Sequence, residues 1–214
     1  MLIAFSGVDG AGKSTQIQML TDRFEKEGID CKVIWSRGGY TPLFVKMKNL
    51  LGVSRSTNEN VAKQSSIRTR SLERNWVRRL WLTLAIVDLF LLYSIYFRWL
   101  MLRGKYVIAD RYILDTAIDF KINFPAEKAE NWWLWKLMNF FSPKPNRYFL
   151  LLIPVEESRR RSIQKNEPFP DSVDTLEKRL EVYQHMCKKS QLVTCLDGRG
   201  PVDEISQIII SYII

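Results

Sequence analysis

A three-layer α/β fold, with a five-stranded parallel sheet and helices on both faces, follows from three observations in the 214-residue chain. A glycine-rich loop stands between an apolar run and an amphipathic segment near the amino end. Four further short apolar runs follow, and helix-length sequence separates each from the next.

The elements come in this order. Leu2 to Ser6 is a short, continuously apolar strand, and Ser14 to Lys26 is a helix because Ile17, Leu20 and Phe24 share one face at a 3.6-residue period. Lys32 to Ser36 (KVIWS) is the second strand. A long apolar helix, Leu80 to Leu102, leads to the third strand, Lys105 to Tyr112, which ends in Asp-Arg-Tyr. Arg147 to Ile153 and Leu192 to Asp197 complete the set of five. No internal repeat or Pro/Gly/Ser-rich linker divides the chain, so one domain over 1–214 is expected, with its most loop-like segment at Asn166 to Ser172.

Composition narrows the chemistry. With 46% hydrophobic and 26% charged residues the chain can bury a core and is not a disordered tail. Thirty-two Lys and Arg against 23 Asp and Glu leave a net charge of +9, which points to an anionic partner: nucleic acid, a membrane surface or phosphorylated small molecules. His185 is the only histidine, a poor basis for a Ser-His-Asp hydrolase or a multi-His metal site. Three cysteines without CxxC spacing argue against a disulfide framework and a zinc ribbon, and for a reducing, cytoplasmic setting. The MLIAF start has no basic n-region or small-residue cleavage site, so it is expected to be a strand rather than a secretory signal.

The chemistry-bearing motif is GVDGAGKS, Gly7 to Ser14, which fits GxxxxGK[ST] between a strand and a helix. Gly7, Gly10, Ala11 and Gly12 let backbone N–H groups curl round phosphate oxygens, with Ser14 and Thr15 at the helix start. Lys13 neutralises the β and γ phosphates of ATP, and the Ser14 hydroxyl is a ligand for Mg²⁺. The fold is therefore of the P-loop NTPase type. A GTPase is disfavoured: NKxD is absent, and the one DxxG that follows the glycine loop, Asp197 to Gly200, lies near the carboxyl end.

From here the sequence resembles the thymidylate kinase family, a group of P-loop nucleoside monophosphate kinases, across nearly its whole length. Five features carry the resemblance: the P-loop with an acidic residue at Asp9; Arg37-Gly38-Gly39-Tyr40-Thr41-Pro42; Asp110-Arg111-Tyr112; the arginine-rich stretch opened by Arg159, Arg160 and Arg161; and Asp197-Gly198-Arg199-Gly200-Pro201-Val202-Asp203-Glu204. The resemblance implies phosphoryl transfer from Mg·ATP to a nucleoside monophosphate, with dTMP the best single acceptor. It implies that Asp9 meets the acceptor sugar, that Arg37 and Arg111 grip the acceptor phosphate, and that Asp110 organises Mg²⁺ with its waters. One or more of Arg159, Arg160, Arg161 and Lys165, in a lid segment of about 158–173, would close over the ATP phosphates. Forked guanidinium donors suit such contacts. On a helix Arg160 and Arg161 cannot point the same way, so at most two of the three arginines reach the nucleotide.

Two departures bear on the acceptor. Where the family carries a helix arginine before the third strand, this chain has Asp88 within AIVDLF. Phe120 stands where a Gln would read thymine. The alternatives are a kinase for another small phosphorylated or hydroxylated acceptor, or an ATP-binding switch or membrane-associated module.

Leu80 to Leu102 is long enough to span a bilayer. A span would separate the P-loop from Asp110 and Arg111, and basic residues flank both ends. The expected arrangement is a helix with one face on the sheet and the other on a second subunit, giving a homodimer, with membrane-surface contact as the alternative. Arg55 to Arg79 holds seven basic residues against Glu59 and Glu73, in accord with a solvated loop leading into that helix, the alternative being a docking surface for an anionic membrane, a nucleic acid or a substrate larger than a mononucleotide. Trp132, Trp133 and Trp135 are expected to pack on a sheet or an interface rather than stack nucleic-acid bases, and nucleic acid is an unlikely partner.

Overall fold

The computed structural model of the chain describes residues 1–36, 75–165, 171–190 and 192–213. Its elements are β1 (Leu2–Gly7), α1 (Lys13–Lys26), β2 (Cys31–Trp35), α2 (Asn75–Leu102), β3 (Tyr106–Asp110), α3 (Ile113–Asn123), a 3₁₀ turn at Ala129–Asn131, α4 (Trp133–Phe141), β4 (Arg147–Leu152), α5 (Val155–Gln164), α6 (Val173–Lys189), β5 (Val193–Asp197) and α7 (Val202–Ser211). Each of the five expected strands is present, with ends moved by one or two residues.

The five strands form one parallel sheet in the order β2-β3-β1-β4-β5. β1 lies at the centre and every one of its residues is buried. This explains its unbroken apolar run, because a parallel strand covered on both faces has no solvent side. Side chains alternate between two cores. Ile3 and Phe5 join Ile17, Leu20 and Phe24 of α1, Leu176 and Tyr183 of α6, and Ile205 and Ile209 of α7. Leu2 and Ala4 join Leu82, Ile86, Leu89, Tyr93 and Phe97 of α2, with Trp135 and Met138 of α4.

The long apolar helix crosses the outside of the sheet. It is 28 residues long, and its middle, Leu91–Tyr96, is π-helical. Among the described residues it is the one helix long and apolar enough to cross a membrane. Yet β2 and β3, the strands on either side of it in sequence, pair with each other, Cys31 opposite Tyr106 and Trp35 opposite Asp110. A span would place those two strands on opposite sides of a bilayer. The inward row is fully buried, whereas Trp76, Leu80, Val87, Leu91, Ile95 and Trp99 stay exposed. Of the basic stretch before it, residues 55–74 lie outside the described residues. Arg78 and Arg79 both reach the buried Glu127, at 2.8 and 3.0 Å. Trp135 packs inward as expected, whereas Trp133 is 74% exposed.

One expectation is corrected. The cysteine count argues against a disulfide framework and for a reducing setting, but one pair is bonded: Cys187 near the end of α6 and Cys195 in the middle of β5, with Cα atoms 5.9 Å apart, while Cys31 is free. An odd total excludes complete pairing; it does not exclude one pair brought together when α6 packs back along β5.

Candidate active site

The carboxyl ends of four strands converge, as ligand sites do in parallel sheets. β1 runs into the glycine loop, β3 into Asp110 and Arg111, β4 into α5, and β5 into Asp197–Gly200.

The loop conformation requires its glycines. Gly7 has φ +144°, and a Cβ there would collide with the Leu151 carbonyl oxygen of β4. Gly12, at φ +91°, is the N-cap of α1, and no side chain caps that helix start. The first N–H groups of α1 are thus left for an anion. Ser14 and Thr15 stand exposed beside them.

Lys13 folds back into the loop. Its Nζ donates to the carbonyl oxygens of Gly7 and Val8, both at 2.9 Å, and the side chain is buried. Burial, assisted by the Arg111 charge, pushes its pKa down to about 8. Asp110 faces it from the end of β3. Burial raises the Asp110 carboxyl above its ordinary range against the pull of Lys13 and Arg111. Its buried Oδ1 has no hydrogen-bond partner among the described residues. A buried carboxylate oxygen without a donor is the kind of group that suits a divalent cation and its waters.

Arg111 has a left-handed backbone, φ +73°, unusual for a residue with a side chain, and its N–H donates to Phe5 O at 2.9 Å. The guanidinium is buried, ion-paired with Asp9, and lies 3.6 Å from Asp115 Oδ1. Burial works against its charge, but the carboxylates of Asp115 and Asp9 outweigh burial and hold the group charged.

Arg161 is the arginine of its trio that turns to the loop. It donates to Gly10 O at 3.1 Å, Gly198 O at 3.0 Å and Glu157 at 2.6 Å. Arg160 forks onto both oxygens of the same Glu157 and remains exposed, as does Arg159. The divergence expected for successive residues on a helix is therefore present. A cavity of about 210 Å³ lies between the glycine loop, Arg161, Lys165 and the Gly198–Gly200 turn. Gly198 fits there because a Cβ would come within 2.6 Å of Ala11 O. A larger cavity, about 530 Å³, lies at the sheet edge between α5, α6 and β5, and its lining contains none of the glycine-loop residues.

The structure therefore gathers Gly7, Asp9, Gly10, Ala11, Gly12, Lys13, Ser14, Thr15, Asp110, Arg111 and Arg161 at one end of the sheet. Arg37, with the rest of Arg37 to Pro42, lies outside the described residues, as do 166–170 of the expected lid. Phe120 is buried in the α2-side core, its ring 5.7 Å from Trp135 and 6.4 Å from Trp81. Asp88 is also buried on α2.

Sequence reasoning did not single out the carboxylate behind Arg111. Asp115 accepts from Ser6 Oγ, from the Tyr112 N–H at 3.1 Å and from the Tyr183 hydroxyl at 2.7 Å. Ser6 also meets the Tyr148 hydroxyl at 2.7 Å. One turn further along α3, Asp119 faces Arg179, whose Nε lies 2.9 Å from Asp171. The available signal was a pair of acids four apart on α3 and an Arg–Tyr pair four apart on α6, two helix faces in matching register.

Comparison with known proteins agrees with this geometry. Residues 5–209 match the family model described as thymidylate kinase. A thymidylate kinase of Desulfotalea psychrophila is 32% identical over 161 residues, covering 75% of this chain and 67% of that protein. One from Thermosipho melanesiensis is 29% identical over 217 residues, covering 97% and 95%. A probable thymidylate kinase of Pyrococcus abyssi is 24% identical over 216 residues, covering 99% and 94%. With a parallel sheet, a glycine loop and an Asp-Arg strand end in the places described, the chain belongs to the thymidylate kinase family.

Proposed function

We propose that the protein transfers the γ-phosphoryl group of ATP to dTMP, giving dTDP and ADP. The observation that carries this reading is the meeting of Lys13, Asp110, Arg111 and Asp9 at the ends of β1 and β3, in a chain of this family.

An oxygen of the acceptor phosphate attacks the γ-phosphorus in line, and the bond to the β–γ bridging oxygen breaks. Such a transfer needs positioning and positive charge more than covalent help. The glycine loop and the uncapped start of α1 hold the donor phosphates. Lys13 leaves the carbonyls of Gly7 and Val8 to meet the β and γ oxygens, and Arg161, with Arg159 as the second candidate of its helix, supplies charge from the α5 side. Arg111, together with Arg37, grips the acceptor phosphate, and Asp9 accepts from the acceptor sugar. Phe120 backs the acceptor side from the core. Ser14 and Asp110 are the residues that would hold Mg²⁺, which when bound neutralises phosphate charge.

The test is ADP release from Mg·ATP across a panel of nucleoside monophosphates, nucleosides and sugar phosphates, with Lys13→Ala as the blank. Turnover with dTMP is expected. Turnover confined to a different phosphate would move the acceptor assignment, and ATP binding without turnover on any acceptor would favour a switch.

The outward apolar row of α2 is proposed to seat the same row of a second copy, because one surface strip meeting itself about a two-fold axis closes into a dimer. The dimer is assigned to the cytoplasm, where its nucleotide substrates are. Sedimentation equilibrium should give twice the chain mass. A monomer that co-sediments with anionic vesicles would assign the row to a membrane surface.

A further inference from the structure

Arg111 is buried, and its Nη1 has no hydrogen-bond partner among the described residues. Asp115 Oδ1 lies 3.6 Å from it, beyond hydrogen-bond reach. A buried N–H without an acceptor beside a carboxylate needs an explanation, because a small rotation would join the two.

The explanation lies in how Asp115 is held. Its Oδ2 is fixed at the start of α3, where it accepts from Ser6 Oγ and the Tyr112 N–H. Its Oδ1, the oxygen facing Arg111, accepts from Tyr183 at 2.7 Å. Tyr183 comes from α6, 68 residues further along the chain, and is fully buried. Burial and the Asp115 charge together raise its pKa well above the ordinary range, so the hydroxyl keeps its proton and remains a donor. Arg179, one turn earlier on α6, pairs with Asp119 one turn later on α3, so the two helices are pinned at two levels.

We propose that Tyr183 is a positioning residue which occupies Oδ1 of Asp115 and thereby keeps the Nη1 edge of Arg111 available to the acceptor phosphate. The proposal rests on the reading that Arg111 binds that phosphate. Without the hydroxyl, Oδ1 would lose its donor, and Arg111 Nη1, 3.6 Å away and itself unpartnered among the described residues, stands ready to replace it. The guanidinium would then be held by Asp9 on one side and Asp115 on the other, and the acceptor would have to break the second contact.

The experiment is calorimetric titration of dTMP and of ATP into the full chain and two variants. Tyr183→Phe keeps the ring and its packing and removes one oxygen. Its affinity for dTMP is expected to fall about tenfold, with ATP affinity unchanged. Adding Asp115→Asn, with the amide nitrogen at the Oδ1 position, gives Arg111 a donor it cannot bond, so dTMP affinity should recover to within about threefold of wild type. Damage to packing would not be repaired by a second buried substitution. If Tyr183→Phe binds dTMP as tightly as wild type, or if the double variant binds no better than the single, the proposal is overturned. Wild-type protein that binds ATP but no dTMP would overturn the acceptor reading, and the proposal with it.

Discussion

The carboxylate of Asp9 and the guanidinium of Arg111 form an ion pair across 102 residues of chain. This pair ties the glycine loop after β1 to the turn after β3. The residue assigned to the acceptor sugar and the residue assigned to the acceptor phosphate are thus parts of one cluster, with the buried Asp115 as its third member.

Removing the cation from that cluster should cost stability as well as turnover. Arg111→Ala leaves Asp9 and Asp115 without the cation they share. A loss of about 3 to 5 kcal/mol is expected by urea denaturation, since breaking a buried pair leaves an uncompensated charge. Arg111→Lys should recover part of the stability and little of the dTMP turnover, because an ammonium cannot serve Asp9 and a phosphate in the forked geometry.

Lys13 predicts opposite pH trends for ligand binding and for folding. In the folded chain its pKa is about 8, below the ordinary 10.5. ATP needs the protonated form, so ATP affinity should fall as pH rises through about 8, and Lys13→Met should lose that dependence. For folding, the unfolded chain binds more protons between about pH 8 and 10.5. The penalty for burying the charged lysine is therefore fully present below pH 8 and relieved across that window. Stability measured on the wild type minus Lys13→Met should rise over the same range, and a flat difference would contradict the lowered pKa.

Two neighbouring arginines should behave unequally. Arg161 reaches the carbonyl oxygens of Gly10 and Gly198, while Arg159 is exposed. Arg161→Ala is expected to lower kcat by about 10²-fold, the scale of removing one electrostatic stabiliser. Arg159→Ala should cost clearly less in the same steady-state assay, and equal losses would remove the distinction drawn from the geometry.

The Cys187–Cys195 disulfide closes a loop with a sequence separation of only 8. In the chain-entropy account a loop that short contributes about 2 to 3 kcal/mol. Reduction with dithiothreitol, or Cys187→Ser, should lower stability by that amount in guanidinium titrations, with no change in a Cys31→Ser control.

The sequence made the sheet and the phosphate loop legible because both are local. Each strand is a contiguous apolar run bounded by polar or turn residues, and Gly7, Gly12, Lys13 and Ser14 keep a spacing that only backbone geometry requires. The Asp-Arg pair at the end of β3 could be placed for the same reason. The network behind Arg111 could not, since it joins residue 6 to residues 115, 148 and 183. Nothing in Tyr183, an ordinary aromatic on an amphipathic helix, marks its hydroxyl as a partner for Asp115. The disulfide was hidden likewise, because which cysteines meet depends on how α6 returns along β5. Phe120 was aligned with a base-reading position, while its burial between Trp81 and Trp135 became visible only once α2 and α4 were packed beside α3.

The π-helical stretch of α2 has a geometric consequence for whatever lies against that helix. In a regular α-helix, residues taken at intervals of four drift sideways by about 40° at each step. The inward residues Leu89, Tyr93 and Phe97 follow at that interval, and so do the outward Val87, Leu91, Ile95 and Trp99. The wider turns over Leu91–Tyr96 absorb much of the drift, so both rows run more nearly parallel to the axis instead of winding round it. Another helix laid along the outer row could follow it side by side over several turns without having to coil around it.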